Sequence, residues 1–244
     1  MNLRAASLYK SKNALKSAGA YFIVLLLILL AVIAIARINV SNGGSSYVTF
    51  SGYTIGAWVM MLVMGITAIR EDLRFFIQNG IGRRTAFVTQ WVAALELAVL
   101  LAVGGQLFQF LANAIAQSVP NIRIGELYSM LYAQGAMSLS LWQHVESFVL
   151  YLGFLLMAYM GGMFFSLLFY VLNKTMQVVI AVSIPFLLFV GIPFLWPYFS
   201  APLTALYQFC SVNSWNLLLV FLIITAVIGA VNGLITRRIH IRGL

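Results

Sequence analysis

The chain holds few side chains able to do chemistry: five acids, two histidines and one cysteine among 244 residues. General acid and base work by a carboxyl pair on a helix needs two acids on one face, three or four residues apart. The only close pair, Glu71 and Asp72, is adjacent, and neighbouring side chains on a helix point about 100° apart. His144 and His240 fall on opposite sides of the membrane in the topology derived below. There is no HExxH and no GxSxG, so neither a zinc hydrolase nor a nucleophile-elbow site is expected. Cys210 stands alone, which excludes an internal disulfide framework and a cysteine-rich metal site. No GxxxxGK[ST] occurs, so the chain has no P-loop for ATP. The expectation is a protein that is not an enzyme, with no catalytic, cofactor or metal residues of its own. Any energised function must draw on a separate ATPase or an ion gradient.

Two polar features lie inside apolar sequence. Glu96 is ten residues into the apolar run Ala86–Ala116, about 15 Å deep at 1.5 Å per residue. An ionised carboxylate at that depth is costly and faces an interior cavity or a partner. Glu96 is read either as a protonated or locally hydrogen-bonded structural residue, or as a group in substrate contact or ion coupling. Gln106, Gln109, Asn113 and Gln117 follow at i, i+3, i+7 and i+11, one stripe of a helix. Glu96, Gln106, Gln109 and Asn113 are candidates for a translocation path. The stripe also fits hydrogen bonding between helices, or a helix end standing in water.

The elements that must position these residues are membrane spans. The composition is 63% hydrophobic and only 8% charged, where soluble domains are nearer one-quarter charged. No soluble core hides so much apolar side chain. Six spans are read: Tyr21–Ala36, Tyr53–Ala68, Ala86–Ala116, Phe148–Leu172, Val178–Leu195 and Trp215–Thr236. The first is longer than a signal-peptide core and is read as an uncleaved span. Residues 1–18 carry Arg4, Lys10, Lys12 and Lys16 without an acid, and read as a basic helix on the inner membrane surface. Residues 117–145 form the longest loop. Residues 196–213, rich in proline and aromatics, read as an outer re-entrant hairpin, since Trp and Tyr favour the membrane boundary. Ala158, Gly162 and Ser166, and Gly229 with Gly233, are small-residue steps that permit close helix packing.

Between the second and third spans lies Ile69–Thr85, where charges of both signs crowd together. Ile69, Leu73, Phe76 and Ile77 share one helical face. Gly80 and Gly82 end the helix, because glycine accepts positive φ. Such an amphipathic helix either lies among the headgroups or docks into a groove of a cytoplasmic partner. Its side follows from the basic residues. Four precede the first span, four lie in 69–85, Lys174 sits in a short turn, and three follow the last span; only Arg37 and Arg123 fall opposite. Both termini are therefore expected to be cytoplasmic. In this setting the net charge of +9 reports topology rather than nucleic acid.

The layout resembles the permease subunits of ABC-2 type transporters, the type V exporter fold. The shared features are a basic N-terminal helix, six spans with both ends inside, an amphipathic helix between spans two and three, and an outer hairpin between spans five and six. Phe75-Phe-Ile-Gln-Asn-Gly-Ile-Gly-Arg-Arg-Thr85 is similar to a pattern of small Gram-positive permeases of this group. The resemblance implies an all-α integral membrane permease domain over residues 1–244 in the plasma membrane. It implies that residues 69–82 are a coupling helix seated on an ABC ATPase that carries ATP and Mg. Leu73, Phe76 and Ile77 would be docking knobs, Glu71, Asp72 and Arg74 would pair with the ATPase rim, and Arg70 would belong to the same surface. Gly80 and Gly82 would set the angle to span three. A second permease chain would complete the path, and the cargo would be a hydrophobic or amphipathic peptide, lipid or drug. The alternative is an ATPase-independent ion-coupled carrier or channel using Glu96.

Overall fold

The structure, a computed structural model, describes residues 3–42, 48–50, 52–69, 74–118, 122–133, 139–187 and 192–238. Nine helices and two short strands are present among these residues. They are α1 Leu3–Ser41, β1 Val48–Phe50, α2 Tyr53–Thr67, α3 Arg74–Gln78, α4 Arg83–Ser118, β2 Ile122–Ile124, α5 Leu127–Leu131, α6 Leu141–Val171, α7 Lys174–Phe186, α8 Ile192–Val212 and α9 Ser214–Arg238. Within α1, α4, α6 and α9, four segments are long and apolar enough to cross a membrane: Ser7–Ser41, Arg83–Ile115, Leu141–Val171 and Ser214–Arg237. The chain is thus built as a membrane-spanning helical protein.

α6 is the central element, with α2 on one side and α9 on another. Small residues bring the backbones together. A methyl group at Gly65 of α2 would overlap the Tyr159 carbonyl of α6, and one at Gly162 of α6 would overlap the Leu62 carbonyl of α2. Between α4 and α9, Gly229 lies under the indole of Trp91 and Gly233 under the ring of Phe87. The small-residue steps read from the sequence therefore serve packing. The main core joins Ala14 and Ala18 of α1, Ala57 and Met61 of α2, Leu97 and Leu101 of α4, and Leu155, Tyr159 and Met163 of α6.

The ends of the bundle are distinct. At one end Tyr9 of α1 stacks on Phe75 of α3 at 5.1 Å. There too the Arg83 guanidinium at the start of α4 donates to the Arg237 carbonyl of α9 at 3.3 Å. The start of α1, the α3 segment and the end of α9 therefore share this end. At the other end β1 and β2 pair in parallel, Val48 opposite Ile122 and Phe50 opposite Ile124. α5 and the start of α6 lie beside them. Ser140 starts α6 with a capping box: its hydroxyl accepts from Gln143 N–H at 3.3 Å, and its own N–H donates to the Gln143 side chain at 2.8 Å.

Three sequence readings need correction. Residues 1–18 are not a separate surface helix, because α1 runs unbroken from Leu3 to Ser41. No proline or turn cluster separates the basic segment from the apolar one. Lys10, Ala14, Ala18, Leu25, Leu29 and Ala36 form one buried stripe along it, with the spacing of a straight helix. At 1.5 Å per residue α1 is ~58 Å long, nearly twice the ~30 Å hydrocarbon layer. Residues 196–213 are not a re-entrant hairpin, because α8 is a single helix that carries Pro197 and Pro202 internally. Such prolines free the carbonyls four residues back, and transmembrane helices accept this where other groups re-satisfy them. Loop 117–145 is folded in part, with β2 and α5 inside it.

Candidate functional site

The segment expected to dock a partner is described from residue 74 onward. Arg70, Glu71, Asp72 and Leu73 lie outside the described residues, as do the side chains of Arg74 and Ile77. α3 ends as the glycine predicted: Gly80 has φ of 74°, and Ile81 N–H donates to the Phe76 carbonyl at 2.8 Å. That is a Schellman closure, with Ile81 and Phe76 also buried together in the core. Gly82 faces open space. Phe76 departs from its expected role. Its ring is 0% exposed, packed into the core cluster with Ile69, Ile81 and Ala86. It anchors the segment to this chain and offers nothing to a partner. Phe75 is the exposed ring, stacked on Tyr9.

Glu96 on α4 is half-buried and accepts a short hydrogen bond from the Ser11 hydroxyl of α1, which also reaches the Ser7 carbonyl. The carboxyl is held between helices. Deeper toward the α3 end, Gln90 of α4 accepts from the Tyr159 hydroxyl at 2.7 Å. Its amide donates to the Ala68 carbonyl at the end of α2, 3.1 Å away. Asn232 of α9 donates to the Met160 carbonyl at 3.0 Å, and its Oδ1 has no protein partner.

The densest polar cluster forms at the opposite end, around the first members of the α4 stripe. The Gln106 amide nitrogen donates to Glu126 Oε2 at 3.2 Å and to Ser147 Oγ at 3.1 Å. Gln106 Oε1 lies 3.2 Å from His144 Nδ1. Gln109 accepts from the Tyr53 hydroxyl at 2.8 Å. Asn113 is half-buried on the same helix, and the Gln117 side chain lies outside the described residues. A second acid completes the cluster: Glu146 accepts from the Tyr128 hydroxyl and from the Ser214 hydroxyl, each at 2.9 Å. These bonds tie α2, α4, α5, α6 and α9 together. Gln106 and Gln109 thus take part in hydrogen bonds between these elements.

Glu126 sits at the start of α5, where its N–H donates to Ser129 Oγ at 3.0 Å. The residue is 3% exposed, and its Oε1 has no protein partner. Burial pushes its carboxyl above the ordinary range; hydrogen bonds from Ser147 and Gln106 and the charge of His144 oppose this. Burial and the Glu146 hydrogen bond push the Tyr128 hydroxyl up to about 12. Among the described residues no group of three His, Cys, Asp or Glu side chains could hold a metal ion.

Glu126, Ser147, Glu146 and Gln90 were not singled out from sequence, and His144 was weighed only as a possible catalytic group. Their partners are 18 to 69 residues away in the chain, and no periodicity links them. The one local signal is the Glu126–Ser129 spacing before an apolar run, a helix start. Comparison with family models, curated proteins and solved structures gives no match.

Proposed function

We propose that this chain is the membrane-spanning subunit of an ABC-2 type exporter, with six crossings, both termini cytoplasmic and α3 part of its coupling segment. The observation that carries the reading is the place of α3. It joins α2 to α4 at the bundle end that also holds the start of α1 and the end of α9. By the excess of Lys and Arg this end is the cytoplasmic one. α7 and α8 together supply the fifth crossing, and α2 the second. The sequence holds no P-loop, so an ATP-driven cycle would draw on a separate ATPase on that side.

Of the apolar knobs that the periodicity implied, Phe76 is buried in this chain's own core. With Phe76 turned inward, Phe75 and Gln78 are the outward α3 side chains among those described. ATP-driven closure of two ATPase subunits would push on α3. Through Phe76 and the Schellman turn that push passes directly into the core and α4. Two permease chains would enclose a path for a hydrophobic or amphipathic cargo, alternating between inward and outward states. A nucleotide shifts that equilibrium only by its differential affinity for the two states.

The test is co-purification of the full chain with a P-loop ATPase from native membranes, compared with Phe75→Asp combined with Gln78→Glu. The expected outcome is loss of the ATPase with normal membrane insertion. Undiminished ATPase in the doubly substituted chain overturns the docking face, and no ATPase with the unaltered chain overturns the reading itself.

A further inference from the structure

Glu126 is an unusual acid for its position. It is nearly fully buried, it is not within hydrogen-bond or ion-pair contact of a Lys or Arg side chain among the described residues, and one of its two oxygens is unpartnered. A buried ionised carboxylate is tolerated when hydrogen bonds or an opposite charge satisfy it. Here the anion has only neutral donors, from Gln106, Ser147 and the Ser129 N–H, and nothing on Oε1. The crevice beside it is lined by Thr54 of α2, Leu127 and Tyr128 of α5, and Ser147, Leu150 and Tyr151 of α6. It is too tight for a water molecule. The ligand small enough for this place is a proton.

We propose that Glu126 is a proton-binding site whose occupancy holds α5 closed against α4 and α6. The proton comes from solvent and joins Oε1, leaving Oε2 to accept from Gln106. Thr54, Ser147 and Tyr151 line the crevice beside it. The ionisable groups around Glu126 are His144 and Tyr151 on α6, Tyr53 on α2 and Tyr128 on α5, with Glu146 beyond Tyr128. His144, when charged, favours the carboxylate; Glu146 favours the acid. The structural consequence is specific, because Glu126 is the first residue of the α5 turn. Its side chain is the direct link from α5 to Gln106 of α4 and Ser147 of α6.

The sign of the effect follows from burial. Closure removes water from the carboxyl and so tightens its hold on the proton. Closure is therefore favoured at pH below the raised titration range of Glu126 and weakens as pH climbs through it. The reverse direction, closure gained as pH rises, would require a carboxyl held below its ordinary range. This device needs neither ATPase nor cargo, so it stands or falls separately from the exporter reading.

The test is amide hydrogen exchange of Leu127–Leu131 in the full-length chain in lipid nanodiscs. Rates are corrected for intrinsic exchange, across roughly pH 5 to 9, which brackets carboxyl and imidazole titration. The unaltered chain is expected to lose protection roughly tenfold or more as pH rises. Glu126→Gln, a neutral isostere, is expected to stay protected at every pH. Ser147→Ala removes a donor to the carboxylate and moves the midpoint upward. Flat exchange in the unaltered chain, or persistent pH dependence in Glu126→Gln, overturns the proposal. Where Glu126→Gln does not fold, Ser147→Ala decides: an unmoved or lowered midpoint also overturns it.

Discussion

α6 and the α7–α8 pair are both apolar, yet they are built on different rules. α6 buries Gly153, Ala158, Gly162 and Met163, and it carries Tyr159 with its hydroxyl bonded across to α4. α7 and α8 leave nearly every large side chain outside, among them Val182, Phe186, Phe194, Tyr198, Tyr207 and Val212. Lipid tails are as apolar as leucine, so hydrophobicity alone gives helices no reason to associate. Close backbone approach and interhelical hydrogen bonds do. α6 has both; α7 has one polar anchor, Gln177, whose amide donates to the Phe169 and Leu172 carbonyls at the end of α6. Small residues and a few buried amides, not apolar content, separate core helices from peripheral ones in this chain.

The strongest way to break that contrast is Gly162→Leu. The added side chain would meet the α2 backbone, which cannot move aside as a side chain can. The expected cost is ~3 kcal/mol or more, read as loss of monodisperse protein or a large fall in stability to SDS titration. Gly161→Leu is the internal control, since a methyl there meets nothing within 4 Å. Equal behaviour of the two variants would remove the basis of the comparison. Next comes Tyr159→Phe, which deletes the hydroxyl that donates to the buried Gln90 oxygen at 2.7 Å. A loss of about 1–3 kcal/mol is expected in the same titration.

Asn232→Leu sharpens the contrast further. It deletes the bond to the Met160 carbonyl but also removes an unpartnered Oδ1. The net loss should be smaller, about 1 kcal/mol. Tyr207→Ala on α8 should fall within about 0.5 kcal/mol of the unaltered chain, because that ring is 72% exposed. A loss of the Tyr159 size at Tyr207 would place α8 among the packed helices after all.

The long spans were legible because an apolar run of about 20 residues has few other uses. The end of α3 was legible because Gly80 solves a local backbone problem. The direction of Phe76 was not. Helical periodicity shows that a face is apolar, but a bundle and a docking groove bury such a face equally well. α8 was misread for a related reason: Pro197 and Pro202 signal interrupted hydrogen bonding, which fits a hairpin and an irregular helix alike. The cluster of Gln106, Glu126, His144 and Ser147 was out of reach, since it joins three elements through side chains 20 to 41 residues apart. Only the α4 half of it left a pattern, the stripe from Gln106 to Asn113.

The short length of α2 bears on how the chain is made. Its 15 residues cover ~22 Å, less than the ~30 Å hydrocarbon layer. Its tightest neighbour, Gly162, is roughly 95 residues downstream of its last turn, ~5–20 s of synthesis at ordinary elongation rates. Through that interval α2 has no α6 to lie against. α1 and α4 are made much sooner: the Tyr21 hydroxyl donates to the Tyr53 carbonyl, the Tyr53 hydroxyl donates to Gln109, and the Gln90 amide donates to the Ala68 carbonyl, so both ends of the nascent helix gain lateral holds before α6. A ribosome-stalled fragment ending soon after α4 is therefore expected to keep α2 against α1 and α4, and Gln90→Leu to loosen only its Ala68 end.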